Sequence, residues 1–407
     1  MDIRNVIVVV IDRLGAGYLG PYGNTWVETP GFNRLASESV LFEHSIADTP
    51  AVEGAYRSWW LGTHAMCDAS AAGVPELPRA AVEAGVLSTL LTDDSQLSRH
   101  PLAHGFTQVI HLTSSSAREP VARVEESQLG QFFAAAMEWL SGASSPFLLW
   151  LHARGMGGAW DAPRDFRERF ADDEDPLPPD FVDPPDRALG SDLDADALWG
   201  ATQAFAGQVL LLDTCLGALL DALEHFPFGK QTLLALTSPR GFPLGEHGYL
   251  GPCGDQLFGE VLHTPLLLRF PNRAGACQRV HALIQPGDLY CTLADWLGLA
   301  RHRPDWGRSL SELVEGEVNW RRECACSLGA AERSIRTPAW FLRQGPGGRA
   351  ELYAKPDDRW EVNEVAGRCQ DVVEQLAAAL DQFHQLAKAG RLADLPALPP
   401  SLLQRAD

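Results

Sequence analysis

The chain has 407 residues, a length that can bury a large hydrophobic core in one domain or several. Hydrophobic residues make up 45% and charged residues 21%, which excludes a fibrous or mostly disordered protein. The formal net charge of −20 disfavours a nucleic-acid partner, because binding a bare polyanion relies on clustered Lys and Arg.

The first predicted element is a strand. Residues 6–11 form a continuous run of Val and Ile, typical of a strand that is buried on both faces of a parallel sheet. The run is too short to cross a membrane, and no signal peptide is visible before it. We therefore expect a cytoplasmic protein that does not bind membranes.

Apolar runs and helical stretches alternate through the next part of the chain. Strands are predicted at 86–91, 147–151, 232–237 and 265–270, and helices at 131–141 and 202–225. This alternation predicts a doubly wound α/β sheet, in which functional sites lie at the carboxyl ends of the strands.

Composition changes twice along the chain. Residues 161–196 are rich in Pro and Asp, a pattern found in both solvated loops and functional lids, and we favour a solvated surface insertion. After Leu299, extended segments flank a Gly-Pro-Gly-Gly turn and predict a hairpin, followed by a helix over 370–388. We expect an α/β domain over 1–300 and a smaller carboxyl-terminal subdomain over 301–407.

The cysteines do not form a metal motif. The eight cysteines are scattered, and the closest pair, Cys324 and Cys326, lacks the second pair and the histidine spacing of a zinc site. Free thiols are expected.

Several short motifs occur in a fixed order along the chain. They are NVIVVVID (5–12), GPYGN (20–24), TPGFNRLA (29–36), AG with TLL (84–91), HGF (104–106), TS (237–238), LGEHG (244–248), LY (352–353) and WEVNEVA (360–366). Together they resemble the sulfatase family of the alkaline-phosphatase superfamily. The resemblance spans nearly the whole chain and implies an α/β fold with a central, mostly parallel sheet flanked by helices, plus a smaller carboxyl-terminal α+β subdomain.

The metal ligands that the family uses are largely replaced. Family members hold a divalent cation with two adjacent Asp after the first strand and with Asp and Asn or His in the later block, because a hard cation needs oxygen ligands. At these positions the chain has Asp12 and Arg13, then Pro239 and Arg240. Asp12 is the only surviving ligand position, so we expect no bound metal.

The family's nucleophile motif is also missing. Residues 49–57 stand where the family has a Cys or Ser in CxPSR, and they contain neither. Arg57 is read as the motif's arginine shifted by one position. Thr49 carries a hydroxyl, but aligning it with the nucleophile would displace the motif.

The family's catalytic helpers are replaced as well. Residues 93–95 (DDS) stand where the family has Lys-Trp-His, Pro252 stands near its second lysine, and His152 alone remains of a HxPH cluster. The only lysines of the chain are Lys230, Lys355 and Lys388, and none is near these positions.

Two short segments also match motifs of other protein classes. GAGYLG (15–20) matches a dinucleotide-binding fingerprint, but Pro21 and Gly23 follow where that motif needs a helix. Asp93 and Asp94 could form a metal or acid–base pair, yet adjacent side chains point apart, which favours a helix cap or loop.

For several His and Trp residues, a role in packing or hydrogen bonding competes with a functional one. His152 is expected to be a hydrogen-bonded core histidine, and His247, in a retained motif, has either a functional or a packing role. Trp59 and Trp60 follow the lost nucleophile segment and are assigned to the core.

These losses predict a pseudoenzyme with a binding or regulatory role and with no catalytic residues or cofactor. The vestigial or anion-binding cleft is predicted to comprise Asp12, Arg13, Arg57, His152, Arg240 and His247. Its expected partner is a small anionic ligand, and a protein partner is also compatible with the sequence. The alternative is an active sulfuric or phosphoric ester hydrolase with a divergent site and a divalent cation such as calcium.

Overall fold

The computed structural model describes residues 4–68, 76–113, 118–190, 194–253, 256–299, 306–314 and 322–404. Its strands are β1 Asn5–Ile11, β2 Val40–Ile46, β3 Leu87–Thr92, β4 Gln108–His111, β5 Phe147–Ala153, β6 Arg187–Ala188, β7 Thr232–Thr237, β8 Tyr249–Leu250, β9 His263–Thr264, β10 Leu266–Arg269, β11 Gln278–Ile284, β12 Ala325–Leu328, β13 Arg333–Arg336, β14 Trp340–Gln344 and β15 Ala350–Ala354. Its α-helices are α1 Pro30–Ser37, α2 Val52–Leu61, α3 Leu77–Glu83, α4 Gln128–Ser141, α5 Arg164–Glu168, α6 Ala195–His225, α7 Gly259–Leu262, α8 Pro286–Trp296, α9 Ser311–Val314, α10 Gln370–Lys388 and α11 Pro400–Leu403.

The chain divides into two compact units, neither of which is continuous in sequence. The first unit comprises Met1–Leu41, Ala81–Cys253 and Pro265–Arg279. The second comprises Phe42–Ala80, Gly254–Thr264 and Val280–Asp407.

The first unit is built on a mostly parallel sheet. Its strands follow the order β10-β7-β1-β5-β3-β4, and all neighbours are parallel except β10, which runs antiparallel to β7. The α/β fold expected from the sequence is confirmed, while the predicted strand at 265–270 runs against the others. β1 is buried along its whole length because its β-branched residues are covered on both faces.

Helix α6 is the longest helix of the first unit and packs against α1, α4 and α5. Asp194 caps it by accepting hydrogen bonds from the backbone N–H groups of Asp196 and Ala197. Its length and apolar composition would allow it to cross a membrane, but 72% of its most apolar part is buried within the protein. It is therefore placed as a core helix.

The predicted Pro- and Asp-rich insertion is only partly irregular. The structure has α5 and β6 within it, and Arg167 of α5 is fully buried. Residues 172–174, by contrast, are exposed.

The second unit contains a four-stranded antiparallel sheet, β12-β13-β14-β15. The predicted hairpin is confirmed as β14 and β15, and the predicted helix over 370–388 is confirmed as α10. Leu376, Leu380 and Phe383 of α10 pack into one core with Leu342 and Leu352 of the hairpin. These contacts follow the i, i+4, i+7 spacing of apolar residues along the helix.

Candidate functional site

Asp12 and Arg240 form an ion pair at the carboxyl ends of two neighbouring strands of the parallel sheet. Asp12 follows β1 directly, and Arg240 follows the neighbouring strand β7 by three residues. Arg240 Nε donates to Asp12 Oδ1 and Arg240 Nη2 donates to Asp12 Oδ2, both at 3.0 Å. The Arg240 side chain is 15% exposed and that of Asp12 is 10% exposed, so the bidentate pair is largely shielded from water.

The positive charge of Arg240 favours the ionised form of the Asp12 carboxylate. Burial alone would raise the pKa of Asp12, but the Arg240 guanidinium, with a smaller contribution from Arg13, holds that pKa below its usual value. Asp12 is therefore ionised at neutral pH.

His152 lies next to this pair, within the buried strand β5, and is itself buried. Burial lowers the pKa of His152 to about 4, although Asp12 and Asp94 act in the opposite direction. The imidazole is neutral at pH 7, so it adds no positive charge beside Asp12.

The backbone around Asp12 is tightly held. Asp12 N–H donates to the carbonyl of Ala153, and Met156 N–H donates to the carbonyl of Asp12, both at 3.0 Å. Gly155 has a φ of 53°, and a Cβ there would lie 2.8 Å from the Asp12 carbonyl oxygen. Only glycine fits this approach between the loops after β1 and β5. Gly155 was not singled out from the sequence, because its close contact exists only in the fold.

Arg13 supplies a second guanidinium beside Asp12. Its Nη1 donates to the carbonyl of Gly241 at 3.5 Å, and the side chain is buried. The residue has a φ of 65°, in the left-handed region that Asn, Asp and Gly adopt more readily than Arg.

Ser238 joins the loops that follow β1 and β7. The backbone N–H of Leu14 donates to Ser238 Oγ at 3.2 Å, and Ser238 Oγ donates to the carbonyl of Arg240 at 2.6 Å. These bonds position Arg240 opposite Asp12. The TS motif at 237–238 was the available sequence signal, but it carried no indication of this role.

His247 lies in the LGEHG turn of the first unit and is half-buried. The turn is closed by the Gly248 N–H, which donates to the Gly245 carbonyl at 3.2 Å. Its neighbour Glu246 fixes the turn to the segment after β1, because Tyr18 Oη donates to Glu246 Oε1 at 2.9 Å.

Arg57 belongs to the second unit, on helix α2, where its Nη2 donates to the carbonyl of Cys67 at 3.3 Å. Thr49 lies just before α2, is buried, and accepts a hydrogen bond from the Ala51 N–H at 3.2 Å. The structure thus brings Asp12, Arg13, His152 and Arg240 together in the first unit. Arg57 belongs to the second unit.

Asp93 and Asp94 have different partners at the end of β3. Asp94 Oδ1 accepts from the backbone N–H of Gln96 at 2.7 Å, as expected of a cap. Asp93 Oδ1 accepts from the Arg154 N–H at 2.7 Å, and burial raises the pKa of Asp93 to about 6. The two carboxylates therefore do not act as a pair.

Comparison with known proteins places the chain in a family. The sulfatase family model matches residues 4–299, and the chain therefore belongs to the sulfatase family. Iduronate 2-sulfatase of Homo sapiens is 24% identical over 377 residues, covering 77% of this chain and 67% of that protein. N-acetylglucosamine-6-O-sulfatase of Bacteroides thetaiotaomicron is 30% identical over 122 residues, covering 29% of this chain and 22% of that protein.

Solved structures share the fold over almost the whole chain. The phosphonate monoester hydrolase of Agrobacterium radiobacter matches with a TM-score of 0.75 and 20% identity, covering 94% of this chain and 96% of that one. A 2-O GAG sulfatase matches with a TM-score of 0.75 and 18% identity, covering 100% and 97%. These likenesses establish the alkaline-phosphatase-like fold.

Proposed function

We propose that this sulfatase-family protein is a pseudoenzyme whose cleft binds a small anion and serves a binding or regulatory role. The observation that carries the proposal is the bidentate pair between Arg240 and Asp12. A guanidinium occupies the position beside the carboxylate where the family resemblance implies a divalent cation.

The residues around Asp12 do not fit such a cation. Both carboxylate oxygens of Asp12 already accept hydrogen bonds from Arg240. Arg13 adds a second positive charge, and Pro239 offers no side-chain ligand. Calcium and magnesium need several oxygen ligands, and nearby guanidinium groups repel them. Charge at Asp12 is therefore balanced without metal.

The same residues favour an anion. Two guanidinium groups, of Arg13 and Arg240, lie beside the carboxylate of Asp12, and His152 is neutral, so these four side chains together carry a formal charge of +1 in a protein of net charge −20. Planar guanidinium groups bind sulfate, phosphate and carboxylate oxygens through paired, charge-assisted hydrogen bonds. These three anions are the proposed ligand class.

Metal analysis and an activity screen test the first half of the proposal. The purified protein should contain no stoichiometric calcium or magnesium and should hydrolyse aryl sulfates, phosphates and phosphonates no faster than background. Metal-dependent turnover that is lost in an Asp12→Ala variant would refute the pseudoenzyme and establish the alternative, an active ester hydrolase.

Calorimetric titration tests the second half. Sulfate, phosphate and a simple carboxylate should give saturable binding to the parent protein, weakened at least tenfold in an Arg13→Ala, Arg240→Ala double variant. Arg123→Ala is the matched control, because Arg123 is an exposed arginine of the same unit that is also ion-paired, with Glu126 at 2.7 Å. Equal binding by parent and double variant, or none by either, would refute an anion-binding cleft.

A further inference from the structure

A groove of about 610 Å³ lies in the first unit, between the Pro-rich segment and the start of α6. Such a volume is within the range of ligand-binding pockets. Its apolar wall includes Pro176, Leu177, Phe181, Ala197 and Leu250.

Hydrogen bonds tie the Pro-rich segment beside the groove to helices α6 and α5. Trp199 Nε1 of α6 donates to Asp175 Oδ2 at 3.0 Å, and Arg164 Nη1 donates to Asp180 Oδ1 at 2.7 Å. Gly200 allows close packing of the segment on α6, because a Cβ there would lie 3.0 Å from Pro179 Cδ. The groove is therefore preformed.

The rim of the groove is acidic. Among the described residues, four carboxylates line it, those of Asp183, Asp186, Asp194 and Asp196, together with one guanidinium, that of Arg187. All four aspartates are exposed, so the rim has a formal charge of −3 and attracts cationic groups.

The apolar wall of the groove is continuous with exposed apolar surface. Leu177 is 78% exposed, the most exposed large hydrophobic side chain among the described residues. Trp26 is 38% exposed, and the centroid of its ring lies 5.5 Å from that of Trp199. Trp199 in turn is hydrogen-bonded to Asp175, in the segment that carries Leu177.

We propose that this groove docks a segment of a partner protein in which apolar side chains alternate with Lys or Arg. The apolar side chains enter the space between Phe181, Ala197 and Leu250, and the basic groups pair with the carboxylates of the rim. The proposal concerns a different surface from the Asp12 cleft and stands whether or not that cleft binds an anion.

A labelled octapeptide of alternating Lys and Leu is the probe, and its binding is followed by fluorescence polarisation. At 150 mM salt it should bind at least tenfold more tightly than an octapeptide of alternating Lys and Ser or of alternating Glu and Leu. An Asp183→Asn, Asp186→Asn double variant should weaken binding at least tenfold. Ala197→Phe, which fills the apolar wall without changing charge, should have a similar effect.

The charge control is a Glu138→Gln, Asp165→Asn double variant, which changes net charge equally at exposed positions outside the groove. It should bind the Lys and Leu peptide as the parent does. Equal loss in this control, or binding unaffected by Ala197→Phe, would refute the groove as the site. Displacement of the peptide by an equal concentration of hexylamine would also refute it, because the groove would then be a small-amine site.

Discussion

Asp213, in the middle of α6, accepts hydrogen bonds from the backbone N–H groups of Gly31 at 2.9 Å and Phe32 at 2.8 Å. These donors lie in the first turn of α1, where no earlier carbonyl of the helix can accept them. Asp213 thus caps a helix from 182 residues away in sequence. A Cβ at Gly31 would lie 2.5 Å from the Asp213 carbonyl oxygen, so only glycine permits this approach.

Replacing Asp213 should therefore destabilise the first unit. Asp213→Ala leaves two N–H groups at a buried site without their acceptor and should lower the free energy of unfolding by about 1–3 kcal/mol. Asp221→Ala is the control, because its ion pair with Arg34 is on the surface and should contribute less than about 1 kcal/mol. Urea denaturation compares the two, and an equal loss would contradict the capping role.

The Arg240–Asp12 pair predicts strong coupling between two substitutions. Arg240→Ala should lower the free energy of unfolding by about 3–5 kcal/mol, because it leaves a largely buried carboxylate without its partner. Adding Asp12→Ala to that variant should cost less than it does in the parent. A double-mutant cycle measured by denaturation checks this, and additive effects would show that the two residues do not interact.

Because His64 is buried and neutral, we expect the protein to lose stability as the pH falls. Its Nδ1 accepts from the Met66 N–H at 3.1 Å and its Nε2 lies 3.1 Å from the Cys326 carbonyl, so the buried ring is neutral and donates from Nε2. Burial lowers the pKa of His64 from 6.5 to about 3. The unfolded chain therefore binds more protons between these values, and the free energy of unfolding falls as the pH falls, by about 2 kcal/mol between pH 6.5 and 5.

A His64→Asn variant should lack this part of the pH dependence, whatever its stability at pH 7. Urea denaturation at several pH values measures the difference between parent and variant. His111→Asn, at an exposed position, is the control and should leave the slope unchanged. A parent-like slope in His64→Asn would contradict the assignment.

We expect the opposite pH dependence of the free energy of unfolding from Asp48. It is buried and accepts from Ser58 Oγ at 2.6 Å and from the Ala65 N–H at 2.9 Å. Burial raises the pKa of Asp48 from 3.8 to about 6, so the folded protein binds more protons than the unfolded chain between these values. The free energy of unfolding attributable to Asp48 then falls as the pH rises through this range, by about 3 kcal/mol in all.

Asp48→Asn keeps a polar acceptor that cannot ionise, so its stability relative to the parent should increase from pH 4 to pH 7. The same denaturation series measures this. A constant difference between parent and variant across the range would show that Asp48 does not titrate there.

The sequence predicted those features that depend on local pattern. The apolar run at 6–11 and the amphipathic stretch at 370–388 each carry their own periodicity, and both elements are found in the structure. The family motifs grouped Asp12 and Arg240 in one predicted cleft, and in the structure the two residues follow the neighbouring strands β1 and β7 and form an ion pair.

Features that depend on contacts between distant segments were not predictable. Nothing local to Asp213 indicates that it caps α1, and nothing local to Ser238 indicates that it bonds the loop after β1. The strand direction of β10 also depends on its pairing with β7 and not on its composition. Such relations appear only once the chain is folded.

The left-handed backbone at Arg13 bears on how this protein could evolve. Hydrogen bonds of the neighbouring backbone N–H groups, from Asp12 to the Ala153 carbonyl and from Leu14 to Ser238 Oγ, hold the chain on both sides of residue 13, so that residue is held at a φ of 65° whatever its side chain. A library randomised at this position and selected for survival after heating should be enriched in Gly, Asn and Asp, which tolerate that conformation. Retention of arginine would then be maintained by a use of its charge and not by folding. Selection for heat resistance and selection for ligand binding should therefore favour different residues at position 13.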